Sequence, residues 1–314
     1  MFDVTLLLVL FCLLALVAEP ALLARGLTAP SAIAVDGQTV FVTESSSYFF
    51  RTFSKRVPAK GLPPAAGSLQ IECTHPSQML LDGSTLYCLD AEYGTVAARP
   101  KGAGRPSKLA TFTQGYRNPG YLASDREAIY ATHQLFHTIT RVAKSGGAKK
   151  TLYTDPEQGG PGPIAVDDRS IYVHRARDGS LVRLSKKGGE PSVLARGEGR
   201  AFALALDATH AYWGEYDGGR VLRVAKDGSQ PLEVLAEGQD GPRGVAVDRT
   251  HVYWVAAIDG SLWRVDKAHQ SPPEVLARGL DHPIAIALDD AAIYVITAGD
   301  GGDLKGAAFR VEKR

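Results

Sequence analysis

Seven times along the chain an apolar run ends on an aspartate, and an apolar-aromatic pair follows four and five residues later. The segments read PSAIAVDGQTVFV, PSQMLLDGSTLYC, PGYLASDREAIYA, PGPIAVDDRSIYV, AFALALDATHAYW, PRGVAVDRTHVYW and PIAIALDDAAIYV, anchored on Asp36, Asp82, Asp125, Asp167, Asp207, Asp248 and Asp289. Short apolar and alternating runs bounded by turn residues predict strands rather than helices. The first strand of each repeat ends at the aspartate and the second carries the aromatic residue. Asp-Gly pairs such as Asp178-Gly179 and Asp259-Gly260 then predict a tight hairpin. A third strand (SLVRLSK, RVLRVAK, SLWRVDK) and a fourth (SVLAR, LEVLAE, PEVLAR) complete the unit. Spacings of 46, 43, 42, 40, 41 and 41 residues between anchors, with several short strands in each, predict an all-β, seven-bladed β-propeller with four-stranded antiparallel blades.

The two ends of the chain share a motif. Residues 20–36 match residues 273–289 at 11 of 17 positions, including the LARGL that ends at Leu27 and at Leu280. The seventh repeat runs out after its third strand, AAFRVEKR, so the N-terminal copy is expected to supply the missing fourth strand. Closing the last blade with both termini leaves no long sheet edge unpaired.

Composition agrees with an all-β chain: 33 glycines and 18 prolines in 314 residues favour turns over long helices. The 35 basic and 34 acidic residues nearly cancel, which argues against a nucleic-acid partner. Residues 4–18 form an apolar stretch too short to span a bilayer and suited to a secretory signal. Residues 1–18 are therefore expected to be a leader or an N-terminal anchor, and residues 19–314 an exported, monomeric domain, periplasmic, cell-surface or secreted. Membrane contact is expected only through that segment, if it is retained. Export would permit a disulfide between Cys73 and Cys88; two small buried thiols are the alternative.

The segment GPRGVAVDRTHVYW followed by DGSLWRVDK resembles the YWTD and NHL propeller repeats over nearly the whole chain after the leader. The Thr-Asp of the first repeat type is absent, since Tyr212-Trp213 is followed by Gly214-Glu215. That resemblance implies an extracellular or periplasmic binding or sensor module with a protein or small polar ligand. Phe41-Val42-Thr43-Glu44 resembles an element of the seven-bladed streptogramin lyases. That likeness implies a competing function, a lyase or lactonase-like hydrolase with a histidine and carboxylate cluster around a divalent ion, calcium or magnesium. No motif predicts an organic cofactor, and a structural scaffold is the third reading.

Binding residues are expected on the face where the first strands begin and the second strands end. Before the prolines that start the first strands stand His75, Asn118 and His282, with Arg200 in the repeat that has Ala201 instead. Three residues after the second-strand aromatic stand Glu44, Asp90, His133, Arg175 and Glu215. These nine mix carboxylate, imidazole, amide and guanidinium, the donors a metal or polar ligand needs. The long first hairpin adds Tyr48, Phe49, Phe50 and Arg51 as a candidate partner-binding loop. The seven aspartates, by contrast, are expected to accept backbone N–H groups of the following turn. Lys144, Lys186, Lys226, Lys267 and Lys313 are expected to form a basic fringe towards the opposite, outer edge, each balanced by nearby acids or water.

Overall fold

The computed structural model describes residues 19–36, 39–45, 50–56, 66–69, 73–102, 104–112, 120–299 and 305–313. The leader and the loop residues Tyr48 and Phe49, like Asn118, lie outside the described residues. The described strands assort into seven four-stranded sheets, antiparallel throughout. Six sheets follow chain order. The seventh takes the N-terminal strand Ala21–Thr28 as its outer member, beside Lys305–Glu312, Ala292–Thr297 and Pro283–Leu288. Leu22 pairs with Phe309, Ala24 with Ala308 and Thr28 with Lys305, so the termini meet in one sheet. The four-stranded meander repeated around an axis is the layout of a β-propeller.

The inner strands are Pro30–Val35, Pro76–Asp82, Leu122–Ser124, Pro161–Val166, Leu204–Leu206, Pro242–Val247 and Pro283–Leu288. Each touches the next, and the last touches the first. The core lies between sheets rather than in one centre. Ala32 and Phe41 of the first sheet pack on Met79 and Leu86 of the second. Leu23, Leu27, Tyr294 and Ile296 of the terminal sheet pack on Ile33, Val40 and Val42 of the first. Alternation along each strand gives both faces of a sheet apolar residues, and both are covered by neighbours. Hairpins between second and third strands use left-handed glycines: Gly260 has φ +69°, and a Cβ there would lie 2.3 Å from the Leu280 carbonyl oxygen.

The anchoring aspartates show what joins neighbouring sheets. Asp167 Oδ1 accepts the N–H groups of Arg169 and Ser170 at 3.0 and 2.9 Å, while Oδ2 accepts the Tyr172 phenol at 2.9 Å. Lys226, from the next sheet, reaches the same Oδ2 at 2.9 Å. The pattern recurs at Asp125 with Tyr130 and Lys186, Asp207 with Tyr212 and Lys267, and Asp248 with Tyr253 and Lys313. Lys144 likewise meets Asp82 of the sheet before it. The lysines are thus balanced by acids, the first of the two alternatives expected of them, and those acids belong to the preceding sheet, so that each lysine ties two consecutive sheets. Burial alone would raise the Asp167 carboxyl, but Lys226 and the turn N–H groups outweigh it and hold its pKa at about 2.

Cys73 and Cys88 form a disulfide between the stretch preceding an inner strand and the second strand of the same sheet. Phe50 and Arg51 fall in the strand Phe50–Arg56, paired with Thr39–Ser45, and so belong to a sheet rather than to the loop in which they were expected. No helix among the described residues is long and apolar enough to cross a membrane.

Candidate functional site: the mouth of the central channel

The two series of candidate residues do share one end of the sheets, because Pro30 pairs with Glu44, Pro76 with Asp90 and Pro161 with Arg175. They do not converge on a ligand site. Glu44, 9% exposed, accepts the Thr28 N–H at 2.8 Å. Asp90 is buried and accepts N–H groups from Thr74, Glu92 and Tyr93 at 2.6, 3.0 and 3.0 Å, together with the Thr74 hydroxyl at 2.7 Å. Glu215 is fully buried; it accepts the Glu198 N–H at 2.8 Å and the Arg220 guanidinium at 2.6 and 2.8 Å.

Each of these carboxylates serves backbone in the connection that precedes its own inner strand. Buried N–H groups in such connections need acceptors, and a side chain at the end of the second strand is placed to supply one. In the fourth sheet the polarity is exchanged. Arg175 occupies the position, and the connection contributes Asp155 at 3.1 Å and Glu157 at 2.7 Å. The carboxylates and Arg175 therefore staple the connections to their own sheets, and none of them is among the described residues that line the cavity at the mouth.

The histidines are also dispersed. His75 Nδ1 lies 2.5 Å from Glu92, and His282, held at φ +48°, lies 3.0 Å from its neighbour Asp281. His133 is buried, with its ring centroid 5.3 Å from that of Phe112. Burial, with some help from the Lys149 charge, lowers its pKa to about 4. Burial does the same to His174, only partly opposed by Asp178, again to about 4. Among the described residues no three His, Cys, Asp or Glu side chains are grouped to hold an ion.

Both buried imidazoles bear on acid stability. Their folded pKa lies below the unfolded value, so the unfolded chain takes up more protons as pH falls from about 6.5 towards about 4, and stability drops over that window. The expected loss between pH 6.5 and pH 5.5 is about 2 kcal/mol for the pair. Urea unfolding at the two pH values checks it, and the double variant His133→Phe, His174→Phe should flatten the slope. The depressed aspartates act in the same direction at lower pH: their stabilisation is complete above about pH 5 and is lost as pH falls through their folded values, about 2 for Asp167.

What does occupy the mouth is a cavity of about 570 Å³ lined by the starts of the inner strands. Ser31, Ser77, Gln78, Tyr121, Gln134, Arg200 and Arg243 supply polar groups; Ile33, Met79, Phe202, Val245, Ile284 and Ile286 supply apolar walls. Of the nine sequence candidates only Arg200 is among the lining residues. No carboxylate and no histidine is among those described.

The two arginines differ. Arg200 is clamped by Asp217 at 2.8 and 2.7 Å, so its charge is balanced. Arg243 has no carboxylate partner among the described residues; its guanidinium sits 4.8 Å from the Phe202 ring centroid. Arg200 lies 5.9 Å from the same ring, and Phe202 meets Tyr216 edge-on at 5.3 Å. Burial lowers the Arg243 pKa from its ordinary value, with Tyr216 and Tyr121 acting weakly the other way.

Arg243 was missed in the sequence although the repeat carries a signal for it. The position after the strand-opening residue holds Ser31, Ser77, Gly120, Gly162, Phe202, Arg243 and Ile284 in the seven units. It varies in size and charge, whereas the position before it is proline in six of the seven units.

Comparison with solved structures places this arrangement. Streptogramin B lyase superposes with a TM-score of 0.73 at 12% identity, covering 93% of this chain and 97% of that one. Virginiamycin B lyase from Staphylococcus aureus gives 0.74 at 12% identity over 93% and 98%. These likenesses show the fold, a β-propeller. The chain is also similar to a propeller in the nidogen/laminin complex, with a TM-score of 0.54 and 20% identity over 68% of this chain and 85% of that one. No family model matches the sequence, and no curated protein sequence does.

Proposed function

We propose that this chain is an exported, seven-bladed propeller that binds a small ligand at the mouth of its central channel and does no chemistry on it. The observation that carries the reading is the cavity itself: about 570 Å³, walled by apolar side chains and furnished with hydrogen-bond donors. Its size is that of small-molecule sites, and its mixture of apolar wall and few polar groups is theirs too. General acid–base or ion-assisted chemistry most often uses a carboxylate or imidazole within reach of the substrate; the described lining residues include neither, and Tyr121 is their one side chain of a type that also serves as a general acid or base. The lyases share the fold at 12% identity. Their activity comes to this chain only with an equivalent set of reacting side chains, since fold does not carry function.

Export is supported by the apolar residues 4–18 and by the Cys73–Cys88 disulfide, which suits an oxidising compartment. Processing must fall at or before Pro20, because the outer strand begins at Ala21.

A thermal-shift screen of purified protein against small polar metabolites tests the binding reading. Ser77→Trp puts bulk into the cavity, and any hit that raises the melting temperature of the wild type should lose affinity at least about tenfold in this variant. Hits that bind Ser77→Trp as well as the wild type would place binding elsewhere and overturn the reading.

A further inference from the structure

We infer that the ligand of the channel mouth is a carboxylate carried on a small apolar or aromatic body, with Arg243 as its anchoring residue. The inference rests on the binding reading above and adds the charge of what is bound. Arg243 is the feature that demands explanation. A guanidinium withdrawn from bulk water is ordinarily matched by a carboxylate. Three other half-buried arginines keep the rule: Arg175 meets Asp155, Arg220 meets Glu215 and Arg223 meets Glu233.

Arg243 instead lies over the face of Phe202 at 4.8 Å and has no carboxylate partner among the described residues. The cation–π contact holds the guanidinium plane against the ring and leaves its N–H edges for an acceptor. That acceptor is not supplied by the cavity's charged residues, because the other lining arginine already spends its fork on Asp217. The site therefore presents one uncompensated positive charge, which matches one negative charge on a ligand. A planar fork favours a carboxylate, which it can engage through two parallel hydrogen bonds. The Tyr121 phenol and the Ser31 and Ser77 hydroxyls line the same cavity and can bind other polar groups. Ile33, Met79 and Ile286 leave room for an apolar body. The resulting recognition is a single charged anchor in an apolar cup.

Calorimetric titration with 3-phenylpropionate and its neutral amide, 3-phenylpropionamide, tests the inference on the full chain after export. The carboxylate should bind the wild type about tenfold or more tightly than the amide, as expected of a hydrogen-bonded charge pair. Arg243→Gln should remove that preference and leave the amide unchanged, while Arg243→Lys should keep part of it. Raising the salt concentration should weaken the acid and not the amide. Ser77→Trp should weaken both. Equal binding of acid and amide, or a preference that survives Arg243→Gln, would overturn the anion assignment while leaving the channel mouth as a binding site. Failure of both compounds to bind at about 10 mM would overturn the assignment of a carboxylate on a small aromatic body, while the binding reading would still be decided by the thermal-shift screen and Ser77→Trp.

Discussion

A chain that lacks residues 19–28 is expected to lose the single cooperative unfolding transition of the intact protein. The strand Ala21–Thr28 is one of four in its sheet, and it is the only contribution of the N-terminal end to the seventh repeat. Leu23, Ala24 and Leu27 are buried at 7%, 5% and 3% exposure against Ile33, Val40, Val42 and Tyr294. Truncating a buried leucine costs about 2–5 kcal/mol, and deletion removes two buried leucines, Leu23 and Leu27, together with the ladder that pairs with Lys305–Glu312. Losses of this size compare with the whole net stability of a domain, about 5–15 kcal/mol. Urea unfolding followed by tryptophan fluorescence and circular dichroism should give a broad, non-coincident transition for the truncated chain. The cavity should lose its geometry too, because Ser31 to Ile33 and Ile284 to Ile286 line it from the two sheets that the strand holds together.

Arg220→Met is expected to destabilise the protein by about 3–5 kcal/mol. Glu215 is fully buried, and Arg220 supplies two of its hydrogen bonds, at 2.6 and 2.8 Å. Removing the guanidinium leaves a carboxylate away from water with the Glu198 N–H as its remaining described partner. The cost is that of an uncompensated buried charge rather than the worth of the pair. Glu215→Gln combined with Arg220→Met should therefore recover most of the loss, since a neutral amide can still accept the Glu198 N–H. Denaturant midpoints of the two single variants and the double variant close the thermodynamic cycle. A change below about 0.5 kcal/mol in Arg220→Met would show that Glu215 is not held as described. It would also reopen Glu215 as a residue available to a ligand.

The architecture was legible because the same residue pattern is written seven times and because strands announce themselves through a short periodicity. Leu22 opposite Phe309 followed from a duplicated LARGL and a last repeat that stops one strand short. The site was less legible, for a physical reason. Glu44, Asp90 and Glu215 look like rim residues in a linear sequence, since polar side chains at the end of a strand usually face water. Here the connections that run over the strand ends bury them, and the backbone N–H groups of those connections, such as Thr28 and Glu198, take the carboxylates as acceptors. Sequence shows a carboxylate but not the amide that will consume it.

The lysines illustrate the same limit across sheets. Lys226 and Asp167 are 59 positions apart and belong to successive repeats, yet they meet at 2.9 Å. A pattern read one repeat at a time leaves open whether Lys226 is balanced by an acid or by water, and does not name Asp167. Arg243 shows the converse: its type and position were visible, but its lack of a carboxylate partner is a property of seven strands brought together. Positions where a repeat departs from itself on the channel side are the part of such a sequence to examine for function.

The measurement that bears most directly on the account is complementation of the truncated chain, residues 29–314, by a synthetic peptide of residues 19–28. If the two ends share one sheet, the peptide should bind in a one-to-one ratio, restore a single cooperative transition and restore protection of the Lys305–Glu312 amides from hydrogen exchange. A truncated chain that already unfolds at the denaturant midpoint of the intact protein, with those amides protected and no response to the peptide, would contradict the shared sheet and the channel mouth built upon it.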